Sequence, residues 1–163
     1  MRHVFILLLT IAILLSLCAC TAQEESLSFF YLRSEFLSGT AEGVIAAEPR
    51  EVTGERGLNY TLRLYLEGPV SEQYLSPYPT GLRLLGTKQE QNVLQVYLSE
   101  EFSILKDIDL AIACACLANT CFDLTDTQQI QIITRSPKGD QMITVDEESF
   151  QFADDIVPSV TTE

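Results

Sequence analysis

Residues 53–69 read TGERGLNYTLRLYLEGP. Two periods fit this one stretch. Tyr60, Leu62, Leu64 and Leu66 alternate, as in a half-buried strand. Leu58, Leu62, Tyr65 and Leu66 also share a helical face at i, i+4, i+7 and i+8. Gly68-Pro69 stops either element. The choice decides whether the chain carries one helix or two.

On the N-terminal side, LSFFYLRSEF (27–36) is rich in aromatic and aliphatic residues and suits a strand. SGTAEG (38–43) reads as a turn, and GVIAAEPREV (43–52) as the returning strand of a hairpin. Pro49 falls near the end of that strand or places it at an edge. On the C-terminal side, SEQYLSPYPTG (71–81) reads as a loop. Two strands follow, Leu82–Thr87 and Val93–Leu98, around the polar turn KQEQN. KDIDLAIACACLANTCF (106–122) predicts the clearest helix, with Asp107 and Asp109 at its positive end. It is apolar nearly all round, so it should be buried between other elements. QIQIITRS (129–136) alternates as a strand, and MITVDEESF (142–150) adds a short last one. The order is β-β-(α or β)-β-β-α-β with a final strand. It predicts an α+β domain, a small mixed or antiparallel sheet packed by helices on one face.

The N-terminus has its own logic. Arg2 and His3 precede an apolar run from Val4 to Leu17, and TAQEES follows Cys20. A basic start, a short apolar core and small residues at the exit make a secretory signal. Leu17-Cys18-Ala19-Cys20 resembles a bacterial lipobox, with Cys20 as the lipidated residue. The alternative frame ending at Cys18 puts bulky Leu17 where a small residue is needed. The expected division is a signal peptide at 1–19, a lipidated cysteine and tether at 20–26, the domain at 27–150, and an acidic tail at 151–163. Several acyl chains on one cysteine hold a protein firmly at a membrane. The expected location is the outer face of the cell membrane.

Charge and composition narrow the chemistry. The chain has 10 basic and 23 acidic residues, a net charge of −13. Loss of 1–19 removes Arg2 alone and leaves 9 basic residues, a net charge of −14. This argues against nucleic acid and against charge-driven docking on anionic lipid. The sole histidine, His3, lies in the signal. The mature chain therefore lacks triads and zinc sites that need imidazole. Cys114 and Cys116 point about 200° apart on a helix, and Cys121 is beyond disulfide reach of Cys114. The three read as small apolar core residues. The carboxylates, including Glu100-Glu101 and Asp146-Glu147-Glu148, single out no pair across a cleft. No catalytic residue, metal site or cofactor is expected.

A family resemblance emerges from the order of several short strings. LRLYLEGP (62–69), YLSPYPTGLRLL (74–85), VLQVYLSEEF (93–102) and the alanine-rich segment 110–118 resemble the GerMN, or sporulation and spore germination, domain. Tyr97 stands where that family commonly has aspartate. The resemblance implies that 57–67 is a helix. It also implies likeness to ring-building domains, small sheets with two helices that associate with neighbours. The expected function is a membrane-anchored, non-catalytic protein-interaction module in sporulation or germination. Its partner would be an envelope protein or a second copy, with Tyr74, Tyr78 and Tyr97 as candidate contact residues. The alternative is an envelope lipoprotein that binds or processes a cell-wall ligand.

Overall fold

The computed structural model describes residues 25–35, 39, 43–52, 57–137 and 139–150. The lipobox residues Leu17, Cys18, Ala19 and Cys20 and the tail at 151–163 lie outside the described residues. Strands β1 (Glu25–Arg33) and β2 (Ile45–Val52) form the antiparallel hairpin, in register from Glu25↔Val52 to Leu32↔Ile45. β1 thus starts within the stretch assigned to the tether. Pro49 lies on an edge strand as expected, because β2 pairs with β1 alone among the described residues.

Residues Leu58–Leu66 form helix α1. The helical face won because it is the face that packs. Leu62 and Tyr65 are fully buried, whereas Tyr60 is 46% exposed. The end is built as the sequence asks. Glu67 N–H donates to Arg63 O at 3.2 Å, and Gly68 N–H to Tyr65 O at 3.0 Å. Gly68 then turns at a φ of 102°, where a side chain would be strained, and Pro69 cannot continue the helix.

The loop after α1 contains a strand that the sequence hid. β3 (Tyr74–Leu75) pairs antiparallel with β1 at Leu32↔Leu75 and Arg33↔Tyr74. Two residues are too few to show alternation. β4 (Leu84–Glu90) and β5 (Val93–Leu98) pair through a tighter turn than KQEQN suggested. Pairing runs to Glu90↔Val93, and Gln91 takes a φ of 51° to close it. A 3-10 turn (Glu100–Ile104) leads into α2 (Asp107–Leu124). β6 (Gln129–Thr134) then pairs parallel to β5. A parallel pair needs a long crossover, and α2 supplies it. β7 (Gln141–Asp146) pairs antiparallel to β6, and one helical turn, α3 (Glu147–Phe150), follows.

The fold class is α+β, as read from the sequence, with the strands divided between two sheets. Their orders are β2-β1-β3 and β4-β5-β6-β7. One apolar cluster joins both. It takes Phe29 and Tyr31 from the first sheet, Leu62 and Tyr65 from α1, Leu117 and Cys121 from α2, and Leu94, Val96, Ile130 and Ile132 from the second. Among the described residues, no helix is long and apolar enough to cross a membrane.

Candidate interaction face

The polar groups inside the molecule must be separated from those it offers outward. β1 has one edge facing β2. The other edge meets β3 only at Leu32 and Arg33. Further back, side chains close it. Phe30 N–H donates to Thr120 Oγ1 at 3.0 Å, and Ser28 N–H to Asp123 Oδ2 at 3.1 Å. Both acceptors belong to α2. The Tyr65 hydroxyl donates to Phe30 O at 2.8 Å, and Tyr31 donates to Tyr65 O at 2.7 Å. An open strand edge is a pairing hazard, and the contacts at Ser28 and Phe30 reduce it.

Tyr78 joins this interior set. Its hydroxyl lies 2.6 Å from that of Tyr65 and 3.2 Å from Ala113 O. Two hydroxyl hydrogens serve this chain. Either Tyr78 donates to Tyr65 and Tyr65 to Phe30, or Tyr65 donates to Tyr78 and Tyr78 to Ala113. The shorter contact to Phe30 favours the first. The Tyr65 ring stacks on Tyr31 at 5.0 Å and meets Phe29 and Tyr78 edge-on. Burial holds Tyr65 and Tyr78 well above the usual phenol range. They stay neutral and supply no proton near pH 7.

A second interior device holds the loop after α1. Glu48 is 4% exposed. Its Oε1 accepts from Val70 N–H at 3.0 Å and Ser71 N–H at 2.7 Å, and its Oε2 from Arg50 Nε at 3.3 Å. Arg50 Nη2 also donates to Gly68 O at 3.2 Å, and its guanidinium lies 5.6 Å from the Phe29 ring centre. Every charge in the pair is met, which is the condition for burying one. Tyr74, another candidate contact residue, donates to Ala47 O at 3.0 Å and so straps β3 to β2.

The thiols lie within the fold. Burial pushes Cys114 up to about 11, and Cys116 and Cys121 up to about 12. Among the described residues, no group of three His, Cys, Asp or Glu side chains could hold a metal ion.

Tyr97 is different. β5 buries Leu94, Val96 and Leu98 on the cluster side, so Val93, Gln95 and Tyr97 lie on the other face. Register extends this face across the sheet. Tyr97 sits beside Ile133, which sits beside Met142, and Gln95 beside Gln131 and Thr144. Both long helices contribute to the cluster on the Leu94 side. Among the described residues, the Tyr97 side has no such helix. Met142 is 61% exposed, and Leu85, at the irregularity in β4, is 49% exposed. Ile133 is buried although it lies outside the core cluster.

Hydrogen bonds fix this face. Tyr97 donates to Gln95 Oε1 at 2.7 Å, and Gln95 Nε2 to Gln131 Oε1 at 3.0 Å. Gln129 Nε2 donates to Asp146 Oδ1 at 2.6 Å. The Arg135 guanidinium lies 5.0 Å from the Tyr97 ring centre and pairs with Asp140 at 3.5 Å. The result is a pre-ordered surface of tyrosine, arginine, methionine and amides, residue types suited to binding protein. Of the three candidate tyrosines, Tyr97 alone belongs to it. Gln95, Gln131 and Arg135 also lie on this face and were not singled out from the sequence. The alternation in VLQVYL and QIQIIT was the signal that places both glutamines off the core.

No protein-family model matches the chain, and no curated protein matches it. Among solved structures, the chain is similar to a Clostridium perfringens protein provisionally described as a lipoprotein. The identity is 18%, the match spans 77% of this chain and 89% of that one, and the TM-score is 0.39. A likeness at that level decides neither family nor function.

Proposed function

We propose that this is a membrane-anchored, extracytoplasmic lipoprotein whose domain is a non-catalytic protein-interaction module. The observation that carries the reading is the face around Tyr97, Ile133 and Met142, fixed by hydrogen bonds and without a covering helix among the described residues. The lipobox ending at Cys20 supports the anchor. The GerMN-like strings support spore formation or germination as the setting. The partner is an envelope protein or a second copy.

The test is crosslinking and recovery of the tagged protein from its native envelope, followed by mass spectrometry. One stoichiometric protein partner, or crosslinked copies of the chain, is the expected result. Tyr97→Ala should reduce its recovery at unchanged folding. Recovery of glycan with no protein would sink the reading. Cys20→Ala should abolish incorporation of a labelled fatty acid, and labelling that persists would remove the anchor.

A further inference from the structure

Among the described residues, helix α2 has a side that the fold leaves largely uncovered. Its buried residues, among them Ala113, Cys116, Leu117, Thr120 and Cys121, take up the arc facing β1 and the apolar cluster. Ile108, Ala111, Ile112 and Ala115 follow one another at i, i+3, i+4 and i+7 on the opposite arc, about 100° wide. Ile108 is 68% exposed, Ala111 is exposed, and Ile112 and Ala115 are half-buried without joining the core cluster. Ile104, just ahead of the helix, is 66% exposed. No charged residue occurs from Leu110 to Phe122. A solvent-facing helix normally carries charge on that side. This one carries the pattern of a helix that packs on a second helix.

Charge selects the occupant. Glu100, Glu101, Asp107 and Asp109 flank one end of the stripe and Asp123 the other, against Lys106 alone. Two copies packed on this stripe would set acid against acid. In a parallel pair the Asp107 ends meet, and in an antiparallel pair Asp107 and Asp109 approach Asp123. An anionic bilayer is repelled for the same reason. The geometry points to an amphipathic helix of a partner protein, apolar along one face and with Lys or Arg at both flanks, docking on Ile108, Ala111, Ile112 and Ala115. This surface is separate from the sheet face around Tyr97.

The test places photoreactive benzoylphenylalanine at Ala111 in the full-length protein in its native envelope, and sequences the adduct. The expected adduct is a segment with apolar residues at three- and four-residue spacing and basic residues at its flanks. Ile108→Gln, at an exposed position, should lower its yield at least tenfold, whereas Tyr97→Ala should leave it unchanged. Asp107→Asn with Asp109→Asn should lower it severalfold. An adduct to a second copy, to residues 151–163 of the same chain or to lipid overturns the inference. So does the absence of any adduct, or equal yield in the Ile108→Gln protein.

Discussion

The interior of the four-stranded sheet is made of Leu94, Val96, Leu98, Ile130 and Ile132, all fully buried and all without a polar atom in the side chain. Beside the three-stranded sheet, the interior is Tyr31, Tyr65, Tyr78, Thr120, Glu48 and Arg50, tied by hydrogen bonds to named backbone groups. The four-stranded sheet is held by area removed from water, which is tolerant of direction. The three-stranded sheet is held by contacts that fail if one partner moves or is lost. The second edge of β1 needs such pinning, because its ladder with β3 covers only Leu32 and Arg33. The two sheets should therefore break in different ways.

Tyr65→Ala attacks the directional side hardest. It removes a buried ring and strands Phe30 O and the Tyr78 hydroxyl. The expected cost is about 3–5 kcal/mol, read as a shift in urea midpoint. Ile132→Ala attacks the apolar side and should cost about 2–4 kcal/mol by leaving a cavity. If the two cost the same and Tyr65→Phe costs nothing, the contrast between the sheets fails.

Alkaline pH sharpens the same contrast. Tyr65, Tyr78 and Cys116 are all raised by burial and all lie on the three-stranded side. A thiol in the unfolded chain ionises near 9, whereas in the fold Cys116 holds its proton to about 12. Above pH 9 the unfolded chain thus binds fewer protons than the folded one, and stability falls as pH rises toward 12. It is fully present below pH 9. Unfolding midpoints at pH 8 and pH 10 should show the drop, and Tyr78→Phe should reduce it. Hydrogen exchange should rise first in β1 and β2.

Thr120→Val keeps the shape but leaves Phe30 N–H without its acceptor. The expected loss is about 1–2 kcal/mol, with faster exchange at the Phe30 amide. The smallest effect belongs to the outer face. Tyr97→Ala should change stability by less than about 0.5 kcal/mol, while lowering partner recovery from the envelope. A large loss of stability there would make Tyr97 a structural residue.

The four-stranded sheet was legible because burial on one face writes alternation into the sequence. Leu94, Val96 and Leu98 point one way, and Gln95 and Tyr97 the other. The segment around Leu62 satisfied two periods at once, and nine residues are too few to separate them. What separates them is the Tyr65 hydroxyl reaching Phe30, a contact 35 positions apart in the chain. The roles of Tyr78 and Thr120 were hidden for the same reason. Each acts on a group outside its own segment, Tyr78 on the Tyr65 hydroxyl and Thr120 on Phe30 N–H, and neither makes a local pattern. The division into two sheets was hidden because strand pairing is set between segments. α2 was legible in extent and in its apolar character. Its uncovered side, however, depends on where β1 and the cluster stop.

The antiparallel run of α2 beside β1 sets a height. Asp123 lies at Ser28 and Thr120 at Phe30, so the helix climbs from its C-terminal end as β1 leaves the N-terminus. Ile108 is fifteen residues from Asp123, about 22 Å along the axis. Under the anchor proposed at Cys20, five residues of chain allow β1 to begin at most about 18 Å above the bilayer. In that arrangement α2's acidic N-terminal end lies away from the start of β1. Under the proposed anchor, a partner helix that meets it there lies within about 50 Å of the membrane, since Asp123 sits three residues along β1 from Glu25. A soluble partner free of the envelope would have no such constraint, and swapping the tether for a longer one would tell the two apart.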